Sequence, residues 1–100
     1  MVTHVILWKI DSSYDEEAKK VIKNNAKREL EALVGQIEGL LTMKIQIESL
    51  TTSNADFMLY SEFTDEKALH AYAVHPLHNA VADTFVRPFT CQRMCLDYPS

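Results

Sequence analysis

Four histidines, His4, His70, His75 and His78, are the residues of this 100-residue chain best suited to move protons near neutral pH. Two of them share one short string, Tyr72-Ala73-Val74-His75-Pro76-Leu77-His78. Pro76 suits the first position of a helix, so His75 stands just outside that helix and His78 in its first turn. A helix N-terminus disfavours positive charge. His78 therefore tends toward the neutral imidazole, which acts as a general base near pH 7. Tyr72, one turn back across the kink, is placed to donate a hydrogen bond to a developing oxyanion. The same residues also have an architectural reading. His75 caps the helix, Pro76 shapes the kink, and Tyr72 is a core ring with its hydroxyl at the edge. On the sequence, both readings stay open.

His4 lies mid-strand beside Ile6 and Trp8, which predicts a buried or half-buried ring. It is either a core histidine satisfied by a neighbour or a polar group of a pocket. His70 falls on the exposed side of its helix. His75 and His78, three apart, are a poor metal pair, because Pro76 constrains them and no carboxylate or thiol completes a set nearby. No metal is expected. Cys91 and Cys95 sit four apart in a strand, ~13 Å from one another, too far for a mutual disulfide. They read as packing residues in a reducing compartment. Gly-rich phosphate loops, Ser-centred elbows and reactive-Cys signatures are absent.

These groups must be held by ordered elements. Val2 to Ile10 reads as a central strand, with Val2, His4, Ile6, Trp8 and Ile10 on one face and Thr3, Val5, Leu7 and Lys9 on the other. Ser13 with Glu16 fits a capping box, and Asp15-Glu16-Glu17 complements a helix start. The helix that follows carries Ala18, Val21, Ile22, Ala26, Leu30, Leu33, Val34 and Ile37 as one apolar stripe. Gly35 suits its end, and Gly39 the turn into the next strand. Leu41 to Ile47 alternates, with Leu41, Met43, Ile45 and Ile47 on one side. A polar loop, Ser49 to Asp56, joins it to Phe57–Phe63 as a hairpin. Thr64-Asp65 starts a second helix holding Ala68, Leu69, Tyr72 and Ala73, which ends near Val74 ahead of Pro76. A third helix shows Leu77, Val81 and Phe85 and stops at Arg87-Pro88. Thr90 to Tyr98 is the last strand.

The order β-α-β-β-α(α)-β is the ferredoxin-like split pattern of the α+β class: a four-stranded antiparallel sheet with helices on one face. The other face then exposes apolar side chains such as Val5, Leu7, Met58 and Tyr60, and a twofold dimer burying two such faces resolves this.

Composition narrows the partners. Hydrophobic residues make up 47% and charged residues 24%, a globular balance, and the net charge is −4. Lys9, Lys19, Lys20, Lys23, Lys27, Arg28 and Lys44 are scattered among acids, so nucleic acid is not expected as a partner. No apolar run approaches the roughly 20 residues that span a bilayer, so no membrane is expected. Met1-Val2-Thr3-His4 lacks a basic region before a long apolar one, which predicts no signal peptide and a cytoplasmic protein.

Two segments together resemble the stress-responsive α/β-barrel (Dabb) family. Thr3-His4-Val5-Ile6-Leu7-Trp8-Lys9-Ile10 is similar to its first strand, and Tyr72 to His78 to its Y-x-x-H-P-x-H string. The closing Leu96-Asp97-Tyr98 and the element order extend the resemblance to nearly the whole chain. It implies one such domain over residues 1–100 and a homodimeric α/β barrel joined through the sheets. Most members have no assigned reaction. A plant member is a polyketide cyclase that performs an intramolecular aldol condensation without a cofactor. Carried over, its Tyr and His fall on Tyr72 and His78 and its first-strand His on His4, while His75 matches the first His of the string. The chain departs from that enzyme at Phe57, where the cyclase has a His. It departs again near Ala26 and Leu30, where the cyclase has a Tyr. The implied pocket is less polar and differently shaped.

The expectation is therefore a dimer binding a small apolar or aromatic molecule between helices and sheet, with no cofactor. His78, Tyr72 and His4 are the candidate catalytic groups: base, oxyanion donor and orienting residue. His75, Trp8 and Phe57 are the candidate ligand contacts. The alternatives are cyclase-like chemistry at that site, a non-catalytic binding or assembly protein, and a haem-binding, monooxygenase-like protein.

Overall fold

A computed structural model describes residues 1–100. The chain runs β1 (Val2–Ile10), α1 (Glu16–Glu31), β2 (Leu40–Gln46), β3 (Phe57–Phe63), α2 (Glu66–Ala73), α3 (Pro76–Phe85) and β4 (Thr90–Pro99). The four strands form one antiparallel sheet in the order β2-β3-β1-β4. This is the ferredoxin-like arrangement expected from the element order.

β1 is central because its alternate residues have work on both sides. Its Val2, His4, Ile6, Trp8 and Ile10 are buried under the helices, together with Phe57, Leu59, Ser61 and Phe63 of β3. Ile22, Ala26 and Leu30 of α1, Leu69 and Tyr72 of α2 and Ala82 of α3 close over them. Trp8 and Phe57, directly paired across β1 and β3, stack with ring centroids 4.7 Å apart. β4 differs. It pairs with β1 along its length, yet no residue after Thr90 is buried on either face. The helices stop short of this edge strand and leave a slot along it.

The other edge is capped at Ile45. Ile45 of β2 donates its N–H to Glu31 Oε2 at 2.9 Å, and Lys27 Nζ donates to the Ile45 carbonyl at 3.1 Å. Two α1 side chains thus occupy backbone groups that a bare edge would offer to another strand. Burial opposes ionisation of Glu31, but the bonds from Lys27 and Ile45 outweigh it and hold its carboxyl below the usual glutamate range.

Four expectations are corrected. Ser13 does not cap α1: its N–H is taken by Asp11 Oδ1, and the cap is Asp15, which accepts from Ala18 N at 2.8 Å. The carboxylate nearest the helix start is the stronger local acceptor, so the helix begins two residues later. The α1 stripe is narrower than read, since Val21 and Val34 are exposed and helix geometry ends at Glu31. Leu33 and Ile37 stay buried beyond it, in a run of turns that Gly35 (φ 89°) allows to reverse. In β2 an irregularity between Leu40 and Thr42 turns Leu40 inward and Leu41 outward. In α3 the buried residue is Ala82, and Leu77, about 140° around the helix from it, is exposed. The same geometry puts His78, four residues before Ala82, only about 40° from the buried direction.

Candidate active site

The kink between α2 and α3 assembles the site. Asp65 caps α2 through Ala68 N (2.8 Å), and Leu69 and Tyr72, three apart, are its buried residues. Val74 ends that helix, as the approach to Pro76 requires. His75 then caps α3, its Nδ1 accepting from Leu77 N at 3.1 Å. One turn into α3, His78 points back over Tyr72, with ring centroids 4.1 Å apart and planes inclined by 37°. The Tyr72 ring also packs against Phe63 (5.0 Å) and meets His4 edge-on (6.3 Å).

These side chains border a cavity of about 120 Å³ between the helices and the sheet. Its walls are Ile6, Trp8, Leu30, Leu59, Leu69 and Ala82, and its polar points are His4, Tyr72, His78, Thr90, Arg87 and Arg93. Tyr72 Oη and His78 Nδ1 are buried and have no hydrogen-bond partner in the protein. A buried polar atom left so costs about 1–3 kcal/mol, which makes two side by side in one cavity unusual. Burial, only partly countered by Arg87 and Arg93, pushes the Tyr72 hydroxyl well above its ordinary pKa, so it stays a proton donor. Burial first, and then the Arg87 charge, lowers the His78 pKa to about 4, so its ring is neutral at pH 7. The neutral state expected for His78 therefore follows mainly from burial rather than from the helix terminus.

His4 is fixed from two sides. Its carbonyl accepts from Ser61 Oγ at 3.1 Å, and its Nδ1 is hydrogen-bonded to the carboxylate of Asp97, its direct partner across β1 and β4. Cys95 Sγ lies 3.6 Å from the same nitrogen and 3.5 Å from Asp97 Oδ1. The expectation that no carboxylate or thiol stands near the histidines is thereby corrected. His4, Cys95 and Asp97 place their three ligand atoms within 4.8 Å of one another. The strand register brings His4 to Cys95 and Asp97, more than ninety positions away in the sequence.

Of the residues singled out on sequence, His4, Tyr72, His78 and Trp8 border the cavity together. His75 and Phe57 are not among its lining residues: His75 is the helix cap, and Phe57 supports Trp8 from behind. His70 is exposed, and Cys91 and Cys95 are free and exposed. Sequence reasoning missed Arg87, Thr90, Arg93, Cys95 and Asp97. The available signal was the alternation Arg93, Cys95, Asp97 in the last strand, which puts three reactive side chains on one face.

The model of the family described as Stress responsive A/B Barrel Domain (Dabb) matches residues 2–100. A search of curated proteins finds no match. Solved structures do. A dimeric protein of unknown function with a ferredoxin-like fold from Bacteroides fragilis is 29% identical, covering 97% of this chain and 93% of its own, with a TM-score of 0.90. A Dabb family protein from Mesorhizobium loti is 20% identical over 99% of this chain and 95% of its own, with a TM-score of 0.75. An antibiotic biosynthesis monooxygenase is 15% identical over 100% of this chain and 98% of its own, with a TM-score of 0.74. At such identities the last two similarities concern the fold.

Proposed function

Since this chain belongs to the stress-responsive A/B barrel (Dabb) family, we propose that it is a homodimeric, small-molecule-binding member whose ligand sits in the Tyr72–His78 cavity. One observation carries this reading: the Tyr72 and His78 side chains, each with a buried polar atom that has no hydrogen-bond partner, line one largely apolar cavity. A hydroxyl-bearing group on the ligand, such as an enol, can accept from the Tyr72 hydroxyl and donate to the neutral His78 ring. The apolar walls take the rest of the molecule, and Arg87 and Arg93 favour an acidic or enolisable end.

Size limits the ligand. A cavity of ~150 Å³ accommodates benzene, so 120 Å³ suits one ring or a short keto acid. A haem is several times too large. This favours an aromatic or β-keto compound over the haem-binding alternative.

The same groups support a second reading, cofactor-free acid–base chemistry. His78 removes a proton next to a ligand carbonyl. Tyr72 donates a hydrogen bond to the oxyanion that forms, the carbanion or enolate then attacks a second carbonyl of the same molecule, and the alkoxide so formed takes back the proton from His78. His4, steadied by Asp97, orients the ligand. Two features favour this reading over inert packing: the cavity that both side chains line and the close approach of their rings, with centroids 4.1 Å apart.

The dimer is supported by the uncovered sheet face, where Leu7, Met94 and Leu96 are exposed, and by solved relatives described as dimeric. No helix is long and apolar enough to cross a membrane. A ligand-observed NMR screen of single-ring aromatic and β-keto acids tests the binding reading. Saturation transfer to a compound, lost in His78→Phe while that variant remains folded, is the expected result. Equal transfer to wild type and His78→Phe contradicts it.

A further inference from the structure

The antiparallel register of β1 and β4 sets three metal-ligating atoms of different chemistry side by side, on the β4 side of His4. His4 and Asp97 are direct strand partners, and Cys95, two residues earlier on β4, projects from the same helix-facing side of the sheet. The Cys95 Sγ–His4 Nδ1 separation is 3.6 Å and the Cys95 Sγ–Asp97 Oδ1 separation 3.5 Å. A tetrahedral zinc ion, with bonds of about 2.3 Å to sulfur and 2.0–2.1 Å to nitrogen and oxygen, requires S···N and S···O separations of roughly 3.5–3.6 Å and an N···O separation of roughly 3.3 Å. Two of the three edges already have these lengths. The third, His4 to Asp97, is closed by a hydrogen bond and widens by about 1 Å or less when an ion takes the proton's place.

We propose that His4 Nδ1, Cys95 Sγ and Asp97 Oδ1 form a binding site for one divalent transition-metal ion of the zinc class. The mixed nitrogen, sulfur and oxygen donors select zinc or cobalt over magnesium or calcium, which take oxygen ligands. Three protein donors leave one tetrahedral position for water or a ligand, the pattern of reactive rather than closed structural zinc. Access is direct, because Cys95 and Asp97 are exposed on β4.

Two other uses of the cluster fit less well. A cysteine nucleophile needs a thiolate, yet burial and the neighbouring Asp97 carboxylate raise the Cys95 pKa. Nor does Cys95 stand opposite Asp97 across the imidazole, as a nucleophile–base–orienter chain requires, since both approach Nδ1. Simple orientation of His4 needs Asp97 alone and gives Cys95 no role. A metal gives all three a role, and it binds the thiol as its deprotonated form whatever the free pKa.

The test is a titration of the purified, chelator-stripped full chain with cobalt(II), read by absorption. The expected result is a thiolate-to-cobalt charge-transfer band that saturates at one ion per chain and disappears when zinc is added. Cys95→Ser removes the band, and Asp97→Asn weakens binding at least about tenfold. Both side chains are exposed, so circular dichroism is expected to show the fold unchanged. Cys91→Ser and Tyr72→Phe keep the band, which separates the ion's ligands from Cys91 and from the Tyr72 hydroxyl. Absence of a stoichiometric band in the wild type overturns the proposal, as does a band that survives Cys95→Ser.

Discussion

Tyr72 and His78 each give up a hydrogen bond that the protein does not replace, and this makes opposite demands on stability and binding. Removing a buried hydroxyl that has no partner costs little. Tyr72→Phe is therefore expected to leave stability unchanged or raise it by up to about 1 kcal/mol. His78 supplies a pH signature. Its folded pKa of about 4 lies below the ordinary 6.5, so between these values the unfolded chain binds a proton that the folded chain refuses. The stabilisation from a neutral His78 is complete above pH 6.5 and is lost as pH falls toward 4. Melting temperatures across that window should slope in the wild type and flatten in His78→Phe, most visibly above pH 5, where few carboxylates titrate. Equal slopes contradict the assignment. The Tyr72-to-His78 string was legible in the sequence because its parts are local: a helix end, a proline and one further turn. Asp97 and Cys95 were not, because only strand register brings them to His4.

The helix–turn–strand junctions depend on two glycines and two caps. Gly35 and Gly39 both have positive φ, 89° and 86°, but their surroundings differ. A Cβ on Gly39 meets Ala68 Cβ of α2 at 2.5 Å, whereas one on Gly35 meets nothing within 4 Å. Gly39→Ala thus combines backbone strain with a collision against α2 and is expected to cost more than about 1 kcal/mol, clearly more than Gly35→Ala. Urea midpoints with unchanged slope give the comparison, and equal losses refute it. The caps form a second pair. Asp15→Ala and Asp65→Ala each remove an acceptor for a helix-start N–H and should cost about 1 kcal/mol. The elements themselves were legible because apolar spacing and turn residues agree. The faces were less so. Val21, Leu41 and Leu77 are hydrophobic enough to be read as core, yet a bulge in β2 and the seating of α3 on Ala82 turn the last two outward. Neither is encoded in spacing alone.

At the scale of the whole molecule, the shortest dimension is 18 Å, the thickness of one helix layer on one sheet. That leaves the far face of the sheet uncovered, with Met94 72% and Leu96 64% exposed beside Leu7. A second copy laid face to face buries this patch, and the expected solution mass is twice 11.4 kDa. Leu96→Glu should yield a monomer by light scattering, while a persistent dimer would require a different interface. The alternation of Val5, Leu7, Met58 and Tyr60 made this face visible in the sequence, and β4 extends it further than that alternation implied. The cavity is independent of the sheet's far face, and the central claim rests on it. The most direct measurement is the ligand-induced rise in melting temperature, compared between wild type and Tyr72→Phe, for a single-ring β-keto or aromatic acid. The expected rise is roughly 5–10 °C at ten times Kd for the wild type and little or none for Tyr72→Phe. The same rise in both proteins would contradict it.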